Sequence, residues 1–206
     1  MPMTTPQPHK LRMLAIVPGM LFALIATVVF AFGAVDNDRA VLNGIHHHVS
    51  GDRIASAMLL ASDLGRLPAM ALITAAISTV LFLTRRRRDA ALLIAASVGS
   101  AIANPALKLM FHRPRPALWI SPAAEHSMSF PSGHAMASCT LALAVTLVAW
   151  DTRWRWLVAL SGAAFMMTVS FSRLYLGVHY PTDVLAGWCA SASCVAVAHL
   201  AMYPRR

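Results

Sequence analysis

Residues 90–110 read AALLIAASVGSAIANPALKLM, a run with no acid and one basic residue, Lys108, close to its end. A bilayer hydrocarbon core about 30 Å thick is crossed by about 20 apolar residues rising 1.5 Å each, so this run has the length and composition of a membrane-spanning helix. A closed β-barrel would show alternating segments of about ten residues instead. Applied outward, the same test predicts six spans, roughly 13–35, 67–84, 90–110, 133–150, 156–176 and 184–203, each bounded by charge, proline or an aromatic residue. The predicted fold class is all-α, a polytopic membrane protein forming a single domain over residues 1–206. Residues 1–12 read as a cytoplasmic tail. Residues 36–66 mix apolar and polar positions without a full span, which predicts one or two amphipathic helices at the outer interface between the first and second spans. The first run follows Lys10 and Arg12 as a signal peptide would, but its length exceeds a usual apolar core, so it reads as an uncleaved anchor.

Composition points the same way. Of 206 residues, 58% are hydrophobic and only 12% charged, with mean hydropathy +0.62, whereas about a quarter of a soluble domain is charged. An ordinary soluble domain and a disordered chain are both excluded. Cys139, Cys189 and Cys194 all lie in apolar runs, where thiols act as small hydrophobes, and three cannot close a disulfide framework. The net charge of +9 would suit nucleic acid only if the basic residues gathered on one folded face. Here they punctuate the spans and report topology instead. Lys and Arg in short connections favour the cytoplasm. An inside N-terminus places Lys10, Arg12, Arg85, Arg86, Arg87, Arg88, Arg153, Arg155, Arg205 and Arg206 there, leaving most of the acids outside.

With that topology, the chemically capable residues converge on the outer face. Lys108 ends the third span and Arg115 follows it; Ser132, Gly133 and His134 open the fourth; Arg173 lies near the end of the fifth; His179 and Asp183 precede the sixth. Taken singly, each has an ordinary explanation: a cation at a span end snorkels to headgroups, and a histidine can sit at a wet helix end. Together, three cations, two histidines and a carboxylate call for an anionic ligand. Arginine forks match phosphate oxygens, and the amides opening a helix at Ser132, Gly133 and His134 favour an anion. One histidine can attack phosphorus while another protonates the leaving oxygen. Asp183, four residues after His179 and just beyond Pro181, can hold one imidazole nitrogen and leave the other free. A two-metal phosphatase needs several clustered ligands, and this face offers only Asp183 with Glu125 and His126, so no metal or other cofactor is expected. The run His46, His47 and His48 lacks a recognised ligand spacing and reads as a wet interfacial face.

The spacing Lys108, six residues, Arg115-Pro116; then Pro131-Ser132-Gly133-His134; then Ser172-Arg173, five residues, His179, three residues, Asp183 resembles the type 2 phosphatidic acid phosphatase superfamily. The motif region would run from 108 to 183. The resemblance implies a metal-independent lipid phosphatase of the bacterial inner membrane, with both termini cytoplasmic and the site extracytoplasmic. It implies His179 as the nucleophile forming a phosphohistidine, His134 as the acid for the leaving group, and Asp183 as the partner orienting His179. Lys108, Arg115 and Arg173 would hold the phosphoryl oxygens, with Ser132 and the Gly133 backbone. The implied partners are the bilayer and a membrane lipid phosphate, with undecaprenyl pyrophosphate or phosphatidylglycerophosphate favoured and no nucleic acid involved. Arg113, an extra basic residue, is expected to take a second phosphate or an anionic headgroup. Lipid phosphotransfer through the same histidine, a vanadate-dependent haloperoxidase and a non-catalytic membrane protein are the competing readings.

Overall fold

The computed structural model describes residues 8–32, 36–49, 51–119, 121, 123, 125 and 127–204. These form eight helices: α1 (Pro8–Phe32), α2 (Asp36–His48), α3 (Asp52–Leu64), α4 (Leu67–Leu83), α5 (Arg87–Phe111), α6 (Gly133–Ala149), α7 (Arg155–Tyr175) and α8 (Pro181–Met202), with no strand among the described residues. Each of the six apolar runs has become a helix, and the stretch between the first two has become α2 and α3. Their starts are locally encoded. Proline opens α4 and α8, where its missing N–H would have no partner anyway. In α8 the third residue, Asp183, reaches back to accept the Tyr180 amide at 2.8 Å, completing a reciprocal cap.

By length and composition α5, α7 and α8 can each cross a bilayer, and the total rises to five if two bent helix pairs each count as one span. One of those pairs is α3 with α4, bent by 59°; α6 is apolar but shorter. The outward surface is that of a multi-pass membrane protein. Phe30, Leu72 and Leu83 are more than 70% exposed, and large apolar side chains line the outside of nearly every helix, an arrangement water would oppose and lipid accepts.

α8 lies at the centre, packed on α1, α5 and α6, while α6 also holds α5 and α7. Leu92, Leu93 and Ala96 of α5 meet Leu141, Ala144 and Val148 of α6 and Val195 and Ala198 of α8 in the main core. Two glycines permit the close approaches that shape the outer end. A Cβ on Gly187 would lie 3.0 Å from the Ser132 carbonyl oxygen, so α8 can press against the start of α6. Gly177 closes α7 at φ 65, a left-handed conformation, with the Trp119 indole occupying the space a Cβ would need. The same indole stacks on His46 of α2, with ring centroids 4.2 Å apart, so the 112–132 connection is pinned to both α2 and α7.

Candidate active site

Lys108 at the end of α5, Arg115 in the following connection, Ser132 to His134 at the start of α6, Arg173 at the end of α7, and His179 and Asp183 around the start of α8 meet at one end of the bundle. His179 is fully buried. Its Nδ1 faces Asp183 Oδ2 at 3.4 Å, and its Nε2 lies 2.9 Å from Arg115 Nη1. A guanidinium can only donate, so Nε2 accepts, and the ring proton sits on Nδ1 toward the carboxylate. The lone pair is thereby aimed at the cations. Burial, reinforced by Arg115 and Arg173, holds the His179 imidazole well below its ordinary range, so it is neutral.

Asp183 is buried and shared. Its Oδ1 accepts Arg113 Nη1 at 2.5 Å, while Oδ2 accepts the Ser129 hydroxyl and the Tyr180 amide in addition to facing His179. The Ser132 amide donates to the Asp183 carbonyl at 3.0 Å, tying the opening of α6 to the opening of α8. Gly133 is pressed against Asn104, whose amide oxygen would lie 2.9 Å from an added Cβ, and Asn104 in turn donates to the Pro131 carbonyl. The backbone at the helix start is thus clamped from both sides.

The residue that organises the cations is Glu125. Its Oε2 accepts Arg115 Nη2 at 2.6 Å, its Oε1 accepts Arg173 Nη2, and Oε1 lies 3.8 Å from His134 Nδ1. Burial alone would raise this carboxyl, but Arg173 and Arg115 outweigh it and hold it at about 2. Arg115 also spans the Val178 and Ser127 carbonyls, and Lys108 donates to the Ser127 hydroxyl at 2.9 Å. Arg173, 1% exposed, splits its fork between Glu125 and the Ser62 hydroxyl of α3. Sequence reasoning weighed Glu125 only as a thin metal ligand, and its partner in that thought, His126, lies outside the described residues. The signal available was a lone acid in a connection dense with cations.

Three polar atoms of the site are buried with no hydrogen-bond partner among the described residues: Ser132 Oγ, His134 Nε2 and Arg173 Nε. Native interiors rarely leave such groups unsatisfied, so they point toward a ligand. Of these residues His134 lines a cavity of about 680 Å³ between α4, α5 and α6, polar where Lys108, Glu125 and His134 border it and otherwise walled by residues such as Met70, Ile94 and Ala101. That volume suits an amphiphile whose charged end sits among the cations.

Arg113 departs from its expected role. Its guanidinium does not join Arg115 and Arg173 but lies behind Asp183, 4% exposed, bound to Asp38 and Asp183 and stacked over the Tyr180 ring at 4.1 Å. Its guanidinium is committed to two carboxylates, on the far side of Asp183 from the other cations.

The helices thus bring a carboxylate-held imidazole, a second histidine and three cations to one end of an apolar bundle. The chain belongs to the PAP2 superfamily, whose pattern matches residues 89–206. Over 60 residues it is 47% identical to an undecaprenyl-diphosphatase of Sulfolobus acidocaldarius, covering 29% of this chain and 27% of that protein. Over 114 residues it is 34% identical to phosphatidylglycerophosphatase B of Bacillus subtilis, covering 52% and 55%. The chain thus spans about a quarter and about half of the lengths of these curated relatives. Its fold is similar to the crystal structure of a transmembrane PAP2 type phosphatidylglycerolphosphate phosphatase from Bacillus subtilis, with TM-score 0.82, 21% identity and coverage of 90% and 94%. Aquifex aeolicus LpxE is similar with TM-score 0.67, 20% identity and coverage of 81% and 97%.

Proposed function

We propose that this chain is an integral membrane phosphatase that removes phosphate from a lipid phosphomonoester or pyrophosphate at the extracytoplasmic face of the inner membrane. The single observation that carries the reading is His179: a neutral, buried imidazole with Nδ1 on Asp183 and its Nε2 lone pair directed into a cluster of three cations. In the proposed reaction the substrate phosphate replaces the Glu125 carboxylate among Lys108, Arg115 and Arg173. Nε2 of His179 attacks phosphorus as the bond to the lipid oxygen breaks, and His134 passes a proton brought by the substrate phosphate to that oxygen. Water then attacks the phosphohistidine with His134 taking the proton, which releases inorganic phosphate and restores the free imidazole. Ser132 and the Gly133 amide supply further donors to the phosphoryl oxygens.

The chain works, on this reading, as one domain over 1–206 with its catalytic motifs in 108–183, the 1–12 tail and both termini cytoplasmic, six crossings, and α2 and α3 at the outer interface. No metal takes part, since the cations neutralise the developing charge. The lipid chain lies in the cavity between α4, α5 and α6. Undecaprenyl pyrophosphate and phosphatidylglycerophosphate are favoured because the relatives named for those substrates are similar to this chain.

The test is phosphate release by detergent-purified protein from undecaprenyl pyrophosphate, phosphatidylglycerophosphate, phosphatidic acid and a lipid A phosphate, with chelator present. Chelator-resistant release from at least one is expected. Silence on all four from folded protein, or release that chelator abolishes, overturns the reading.

Acidity offers a second check. Because folding lowers the His179 pKa, the folded site stays unprotonated below the ordinary histidine range, while the unfolded chain takes up that proton. Stability therefore falls as pH drops below about 6.5, yet the nucleophile remains available. The acid limb of kcat/KM, which reports the free enzyme, is expected well below pH 6.5 for both a monoester and a pyrophosphate, a comparison that separates enzyme from substrate ionisation. A limb at the ordinary histidine value with both substrates would contradict a buried neutral nucleophile.

A further inference from the structure

Asp38 and Arg113 take no part in the chemistry above, yet both are almost completely buried beside it, at 3% and 4% exposure. Asp38 lies in the first turn of α2. Its Oδ1 accepts the Thr182 amide at 3.1 Å, and its Oδ2 accepts the Thr182 hydroxyl at 2.5 Å and Arg113 Nη2 at 3.0 Å. The Nη1 of Arg113 donates to the Thr182 hydroxyl oxygen at 2.7 Å and to Asp183 Oδ1 at 2.5 Å. The remaining oxygen of Asp183, Oδ2, is the one that faces His179.

The order of contacts is therefore Asp38, Arg113, Asp183, His179. A carboxylate free to rotate would present either oxygen to the imidazole, or neither. Here the Ser129 hydroxyl and the Tyr180 amide hold Oδ2, while Oδ1 is held by a planar guanidinium whose other nitrogen is fixed by a second buried carboxylate, so the plane of Asp183 is set at both oxygens. Asp38 also places negative charge at the N-terminus of α8, where the helix dipole favours it, so the same residue holds both the helix and the arginine in register.

We propose that Asp38 and Arg113 are positioning residues: they lock Asp183 in the rotation that presents Oδ2 to His179, which makes α2 a working part of the catalytic apparatus. This rests on the phosphatase reading. The outer partners that orient metal-ligating histidines carry about 10- to 100-fold of affinity or activity, and a loss on that order is expected here for a histidine oriented in the same way.

The experiment uses the full chain in detergent as wild type, Asp38→Asn, Arg113→Lys, Arg113→Ala and the double variant Asp38→Asn with Arg113→Ala. For Asp38→Asn and Arg113→Ala, kcat per folded molecule is expected to fall roughly 10- to 100-fold with KM nearly unchanged. Arg113→Lys should recover part of the loss, and the double variant should be no worse than Arg113→Ala. A rise in KM at unchanged kcat would instead place Arg113 on the substrate, and a lower melting temperature with unchanged kcat would make the pair a structural brace. Either result overturns the proposal. If Arg113→Ala does not fold, the near-isosteric Asp38→Asn decides alone.

The ¹⁵N resonance of the His179 imidazole, assigned by its loss in His179→Gln, gives a readout that needs no turnover. It should move in Asp38→Asn and in Arg113→Ala, and an unmoved resonance overturns the positioning. A wild type that releases no phosphate counts against the phosphatase reading alone, and the imidazole resonance then decides the geometry.

Discussion

His179→Ala is expected to abolish phosphate release, by on the order of 10³-fold or more, the scale of losing a nucleophile that works as part of a unit. The protein should still fold. His179 is buried, but its neighbours keep their partners when the ring is removed. Asp183 retains Arg113, Ser129 and the Tyr180 amide, and Arg115 retains Glu125 and the Val178 and Ser127 carbonyls. The space vacated is bordered by polar groups, so water can fill it rather than leave a void. Phosphate release measured beside a thermal melt in detergent checks both halves. Near-normal turnover in a folded variant would reject His179 as the nucleophile, and a collapsed melt would reject the claim that its role is chemical.

Arg173→Lys comes next in size, because this site uses the shape of the side chain as well as its charge. The two ends of the guanidinium fork reach different elements, Ser62 on α3 and Glu125 in the 112–132 connection, from a residue only 1% exposed. A lysine ammonium carries the charge but cannot hold both directions in one plane. Losing a hydrogen bond to a charged group costs about 1.5–3 kcal/mol, which at 1.4 kcal/mol per decade is roughly a 10- to 150-fold loss in kcat/KM. Steady-state kinetics on the best substrate measures it. Equal kcat/KM in the lysine variant would mean that Arg173 acts through charge alone.

The helices could be read from the chain because a bilayer asks for one thing, some twenty apolar residues in a row, and that demand is local. Five of the six predicted runs begin and end within three residues of their helices, and Pro181 and Asp183 announce the start of α8 in a four-residue window. The convergence of Lys108, His134, Arg173 and His179 was legible for a related reason: each stands near the end of an apolar helix, and the order of helices brings those ends together. What the sequence hid depends on directions taken within the connection between α5 and α6. Arg113 and Arg115 are separated only by Pro114, yet one turns to Asp38 and Asp183 while the other turns to Glu125 and His179. No periodicity governs a non-helical, proline-rich segment, so spacing could not assign their partners. Asp38 was equally silent, since its contact with Thr182 closes a separation of 144 residues.

The carboxylate of Glu125 gives the site a threshold for admission. Most headgroups in a membrane are phosphodiesters with a single negative charge, the same charge that Glu125 already supplies to Arg115 and Arg173. Glu125 is already in place and hydrogen-bonded to both arginines, so a monoanion that replaces it brings no additional charge. A terminal phosphate brings about 1.5 to 2 charges and three acceptor oxygens, and can outbid it. On the proposed phosphatase reading, such a site would choose its substrate by valence before any feature of the lipid tail is consulted.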